Sequence, residues 1–91
     1  MSVNEIYDKL VEILNDQFSE SEISESVIRH IDFIDDEGME SIEFISLIIR
    51  IEDVFNVTIP DEWLEMDRFR KFDYIEESIK KLISKEGLDH E

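Results

Sequence analysis

The stretch from Ser41 to Phe55, bracketed by Gly38 and Pro60, constrains this chain most, because its apolar and polar side chains alternate with the period of an α-helix. At about 100° per residue, Glu43, Ser46, Arg50 and Asp53 share one face. Phe44, Leu47, Ile48, Ile51 and Phe55 share the opposite face, which must be buried. A strand would place these residues on both sides of a sheet, so the pattern commits the middle of the chain to a helix packed against other helices. Ile42 and Ile49 fall beside the polar face. They either form an exposed apolar surface rimmed by acids, suited to docking, or pack beneath a neighbouring loop.

The flanking segments agree. Ile6, Leu10, Ile13, Leu14 and Phe18 recur at helical spacing over about Val3 to Phe18, and Ser2 with Glu5 reads as a capping box. Phe72, Ile75, Ile79, Leu82 and Ile83 make the inward stripe of a last helix starting between Lys71 and Asp73, with Asp73 and Glu76 as a second capping box and Gly87 at its stop. The tail from about residue 88 is expected to fray. Asn56 to Ile59 is extended, since Pro60 disfavours a helical predecessor, and Asp61 to Met66 suits one short helix capped by Asp61. Ser19 to Glu40 is a long connection. Either a short helical turn forms around Val27–Ile31, or Ile28, Ile31 and Phe33 pin the loop to the core. Two glycines and one proline in 91 residues fit this helical reading. The expected fold is all-α, a small four-helix bundle of three main helices and one short one, with a long loop between the first and second, formed by residues 1–91 as a single domain.

Charge and composition then exclude functions. Asp and Glu number 25 against 9 Lys and Arg, a formal charge of −16, so nucleic acid and anionic membranes are not expected partners. The acidic surface either serves solubility alone or complements a basic partner protein. With no cysteine there is no disulfide, no thiolate zinc site and no cysteine nucleophile. No segment has the length and apolarity of a membrane span, and Met1 to Glu5 lacks the features of a signal peptide, so a soluble cytoplasmic monomer is expected.

Enzymatic and metal sites are also disfavoured. The histidines, His30 and His90, are a loop and a tail residue, and no nucleophile-elbow pattern surrounds any serine. The acids Asp32, Asp35, Asp36 and Glu37 invite a calcium reading, but with Gly38 as the loop glycine the first and twelfth ligand positions of an EF-hand fall on Phe33 and Phe44. No metal site is expected. A free phosphate at the Ser41 helix start is opposed by Asp35, Asp36, Glu37, Glu40 and Glu43, whereas a phosphate bonded covalently to Ser41 needs no affinity of its own. Taken alone, a serine before an apolar run is simply an N-cap.

The run Asp36-Glu37-Gly38-Met39-Glu40-Ser41-Ile42, the apolar helix behind it, and Phe55-Asn56-Val57-Thr58-Ile59-Pro60-Asp61-Glu62 together resemble an acyl carrier protein. The likeness covers about Ile31 to Glu62. The flanking helices match in length and spacing rather than in residues. The resemblance implies that Ser41 is the attachment site of 4′-phosphopantetheine, transferred from coenzyme A, with Gly38, Met39, Glu40 and Ile42 flanking it. It implies a carrier and not an enzyme, whose arm holds acyl or aminoacyl thioesters. Its partners are then a phosphopantetheinyl transferase and acyl- or aminoacyl-loading and condensing enzymes with basic docking surfaces. Ile42, Glu43, Ile49, Glu52 and Asp53 would meet those partners, and Phe44, Ile45, Ile48 and Phe55 would line a cargo pocket. Glu40 in place of Asp before the serine, Glu37 and Ile42 in place of Leu, Ser46 in place of an acid, and Arg50 on the docking face depart from the family pattern. These departures point toward a specialised polyketide or nonribosomal peptide pathway. The alternatives are a carrier of fatty-acid synthesis, a carrier-like interaction module whose serine is unmodified and, on net charge alone, an acidic mimic of DNA.

Overall fold

The computed structural model describes residues 2–18 and 23–88. Among these residues four α-helices follow one another: α1 (Val3–Phe18), α2 (Glu25–Ile28), α3 (Ser41–Phe55) and α4 (Phe72–Leu88). Two 3₁₀ turns, Asp61–Trp63 and Met66–Phe69, lie between α3 and α4. Among the described residues there is no strand, only an isolated bridge between Asp32 and Lys71. The all-α bundle expected from periodicity is therefore present, and no described helix is long and apolar enough to cross a membrane.

α1 packs against both α3 and α4. It starts as the capping box requires: the Glu5 N–H donates to Ser2 Oγ at 3.2 Å, and the Ser2 N–H donates to Glu5 Oε1 at 3.3 Å. Its buried stripe is Ile6, Leu10, Ile13 and Leu14. From α3 come Phe44, Leu47, Ile48, Ile51 and Phe55, and from α4 come Phe72, Ile75, Ile79 and Leu82, with Ile83 half-buried. Each fully buried side chain of this size contributes roughly 1.5–3 kcal/mol, which is how a small chain without disulfides holds together.

Several local expectations are corrected. The short helix between α1 and α3 spans Glu25–Ile28 rather than Val27–Ile31, because Ile28 and Phe33 are both fully buried and the chain must turn between them. Both devices expected of the long loop thus operate together, while residues 19–22 of that connection lie outside the described residues. The helix expected over Asp61–Met66 is broken into two 3₁₀ turns, since Leu64 and Glu65 leave helical geometry at ψ 66° and 133°. Pro60, not Asp61, precedes the first turn, and no side chain caps it.

The second capping box is absent. Asp73 and Glu76 instead take the guanidinium of Arg29, which hydrogen-bonds Asp73 and lies 3.1 Å from Glu76 Oε1. That guanidinium also stacks 4.8 Å from the Phe72 ring and 5.4 Å from Tyr7. A charge-assisted, stacked arginine is a stronger partner for these carboxylates than a local backbone N–H. Gly87 does not stop α4, which runs through Leu88; the remaining tail lies outside the described residues.

Candidate functional site

The loop before α3 is built as a closed unit. The Asp32 carboxylate accepts the Ile34 and Asp35 N–H groups at 3.0 Å each, and Asp36 Oδ2 accepts the Asp32 N–H at 2.8 Å. The Gly38 N–H returns to the Ile34 carbonyl at 3.1 Å, and the Met39 N–H to the Phe33 carbonyl at 2.9 Å. Gly38 sits at φ +67°, in the left-handed region that a side chain disfavours. Met39 is buried and anchors the loop's exit. The Asp35 backbone N–H is the main influence holding the Asp32 carboxyl below its ordinary value; partial burial opposes it and the Arg70 guanidinium adds to it.

Ser41 is not the N-cap of α3. Glu40 is, with extended backbone at φ −112° and ψ 174°, and Ser41 is the first helical residue. Glu43 reaches back and accepts the Glu40 N–H at 2.9 Å. The cap therefore comes from the two acids, and the Ser41 hydroxyl is exposed with no hydrogen bond among the described residues. It stands at the positive end of the helix dipole.

From Ser41 an open groove of about 470 Å³ runs along α3, lined by Phe44, Ile45, Ile48, Ile49, Leu64 and Met66. Its far wall is the segment joining the two 3₁₀ turns, and its floor is closed by the Phe44 ring, 5.7 Å from Phe69. Phe44, Ile45 and Ile48 are brought together here. Phe55 lies in the core and is not part of this lining. Leu64 and Met66 escaped sequence reading, because a continuous helix over Asp61–Met66 does not aim both toward α3; two apolar residues beside a proline-led turn were the only signal.

Of the docking candidates, Ile42 and Ile49 are 78% and 58% exposed, and neither is covered by the loop. Ile45 stands beside them at 57%. Asp53 is exposed. Glu52 is half-buried, and its Oε2 accepts the Ile59 N–H at 2.9 Å, fixing the chain beyond the left-handed Asn56 that ends α3. Arg50 turns to α1 and pairs with Asp16 at 3.1 Å, so its charge is neutralised within the domain. Among the described residues no group of His, Cys, Asp or Glu is arranged to hold a metal ion.

The sequence profile described as "Phosphopantetheine attachment site" matches residues 8–70, from within α1 to just before α4. Over its whole length, and over 99% of the relative's, the chain is 33% identical to a protein named acyl carrier protein from Petrotoga mobilis. It is 37% identical over 57 residues to one of the same name from Clostridium perfringens, covering 63% of this chain and 72% of that one. A Lactobacillus johnsonii protein of that name is 29% identical over 62 residues, 68% of this chain and 75% of its own. No solved structure matches significantly. A bundle of this architecture, the profile match across most of the chain and a full-length relative agree: the chain belongs to the acyl carrier protein family, whose members are carriers rather than catalysts and hold 4′-phosphopantetheine through a covalent bond.

Proposed function

We propose that Ser41 is the residue that bears 4′-phosphopantetheine, and that the chain presents acyl cargo to partner enzymes through α3. One observation carries the reading: the Ser41 hydroxyl is the exposed group at the mouth of an apolar groove, and the capping of α3 does not use it. The group fits the residues present. Glu40 and Glu43 repel a free phosphate, so nothing competes for the position except a covalently tethered one, and the helix N-terminus eases its charge. When bound, the group supplies the thiol that this cysteine-free chain lacks.

The chain's own residues then have distinct tasks. Gly38 and Met39 set the loop so that Ser41 faces outward. Glu40 and Glu43 hold the first turn of α3. Phe44, Ile45, Ile48, Ile49, Leu64 and Met66 shelter an apolar cargo. Ile42, Ile45, Ile49 and Asp53 offer partners an apolar strip edged with negative charge, which fits a transferase and loading or condensing enzymes with basic surfaces. Glu43 and Glu52 contribute charge to that field while each serves a backbone N–H.

We assign the cargo to aliphatic acyl chains, because among the described residues Ser41 is the one polar residue in the groove lining and a buried aminoacyl ammonium finds no partner there. Glu40 and Ser46 support a specialised, polyketide-type pathway. The apolar groove equally supports a second reading, a carrier of fatty-acid synthesis. Incubation with coenzyme A and a broad-specificity phosphopantetheinyl transferase, followed by intact mass, tests the site. Wild type should gain one phosphopantetheine and Ser41→Ala none, while Ser41→Ala keeps wild-type stability to within about 0.5 kcal/mol. Addition that survives the substitution refutes the assignment.

A further inference from the structure

We infer that Arg70 is a positioning residue for modification of this carrier, holding the Ser41 loop in the conformation the transferase recognises. The inference rests on Ser41 being the attachment residue.

The loop from Asp32 to Glu40 is strongly acidic, and among the described residues Arg70 is the one cation paired with it. Arg70 lies between the second 3₁₀ turn and α4, more than thirty residues along the chain from the loop it meets. Its Nε donates to Asp32 Oδ2 at 2.8 Å, its Nη2 to Asp35 Oδ2 at 3.1 Å and its Nη1 to Asp67 Oδ1 at 2.9 Å. All three guanidinium nitrogens are thus engaged, in a geometry a lysine cannot reproduce. The backbone joins in: the Phe33 N–H donates to the Arg70 carbonyl at 2.6 Å, and Asp32 bridges to Lys71.

The consequence for Ser41 follows from the loop's internal bonding. Because Phe33, Ile34, Gly38 and Met39 are hydrogen-bonded into one turn that leads directly into the Glu40 cap, fixing Asp32 and Asp35 fixes the start of α3 relative to α4. Arg70 is 28% exposed and Asp32 22%, so the contact is partly shielded from solvent and salt. Without Arg70, Asp32, Asp35 and Asp67 repel one another with no counter-charge, and the loop samples conformations the transferase does not bind. A receptor that selects one conformation loses apparent affinity by the fraction that remains competent, while turnover of the bound complex is unchanged.

Charge alone predicts the opposite sign. Removing a cation makes the chain more acidic and should speed its encounter with a basic partner. Transferase kinetics with coenzyme A therefore separate the two. Arg70→Gln should raise KM for the carrier about fivefold or more with kcat within a factor of two. Arg68→Gln, the same charge change at a residue stacked on Trp63, should leave KM level or lower it. Arg70→Lys should recover only part of the loss. Amide exchange at Phe33, Gly38 and Met39 should accelerate in Arg70→Gln while the cores of α1 and α4 stay protected. If Arg70→Gln does not fold, Arg70→Lys, which keeps the charge but cannot reach the three carboxylates together, should still raise KM above wild type with kcat within a factor of two. An unchanged or lowered KM in a folded Arg70 variant, or a fall in kcat alone, overturns the inference. Loading of wild type that persists in Ser41→Ala refutes instead the site on which it rests.

Discussion

Gly38→Ala isolates the backbone cost of presenting Ser41. The residue sits at φ +67°, and an added Cβ meets nothing within 4 Å. Sterics from neighbours therefore contribute nothing, and the whole effect is conformational. Placing an L side chain in the left-handed region costs about 1–2 kcal/mol. The less flexible unfolded chain returns about 0.4–1 kcal/mol of this. The net destabilisation is about 1 kcal/mol, which for a domain of this size lowers Tm by about 4–8 °C. Gly38→Asn should cost less than half as much, since asparagine tolerates this region, as Asn56 does at φ 55° in the same chain. Urea titrations of the three proteins should give a common m-value and midpoints in the order Gly, Asn, Ala. Alanine as stable as glycine refutes the backbone argument. Asparagine and alanine equally destabilised means that something other than φ makes the position sensitive.

The acids of α3 should separate by role. Glu52→Lys removes the acceptor of the Ile59 N–H and should cost about 1–3 kcal/mol in urea unfolding, whereas Asp53→Lys should stay within about 0.5 kcal/mol and slow loading at low salt. Equal stabilities, or loading by Asp53→Lys at the wild-type rate, would falsify that division. Acid titration tests the loop. Asp32 is held below its ordinary 3.8, chiefly by the Asp35 N–H, so the unfolded chain binds more protons in the interval between the depressed value and 3.8. Its contribution is complete above about pH 4 and is lost as pH falls through the folded value. Asp32→Asn should flatten the acid limb of the stability profile below about pH 4, and an unaltered limb contradicts this.

The three long helices, their buried stripes and the position of Ser41 were legible in the sequence because each depends on spacing within one segment. The apolar face of α3 is Phe44, Leu47, Ile48, Ile51 and Phe55, as its periodicity requires. Capping was legible only where no distant competitor existed. Ser2 and Glu5 pair as read, but Asp73 and Glu76 are claimed by Arg29 from 44 and 47 residues away. The cap of α3 shifted by one residue because Glu40 and Glu43 can serve it and leave Ser41 free.

What the sequence determined by itself was thus the helical pattern, the acidic character and the serine with its family motif, all of which follow from local order along the chain. Tertiary structure alone decided which polar groups were already spent. Glu52 is committed to Ile59, Arg50 to Asp16 and Arg70 to the loop before Ser41. It also decided that Leu64 and Met66, rather than Phe55, complete the groove. These outcomes depend on which distant segments meet, and a hydrogen bond or an ion pair between them leaves no periodic trace in the sequence.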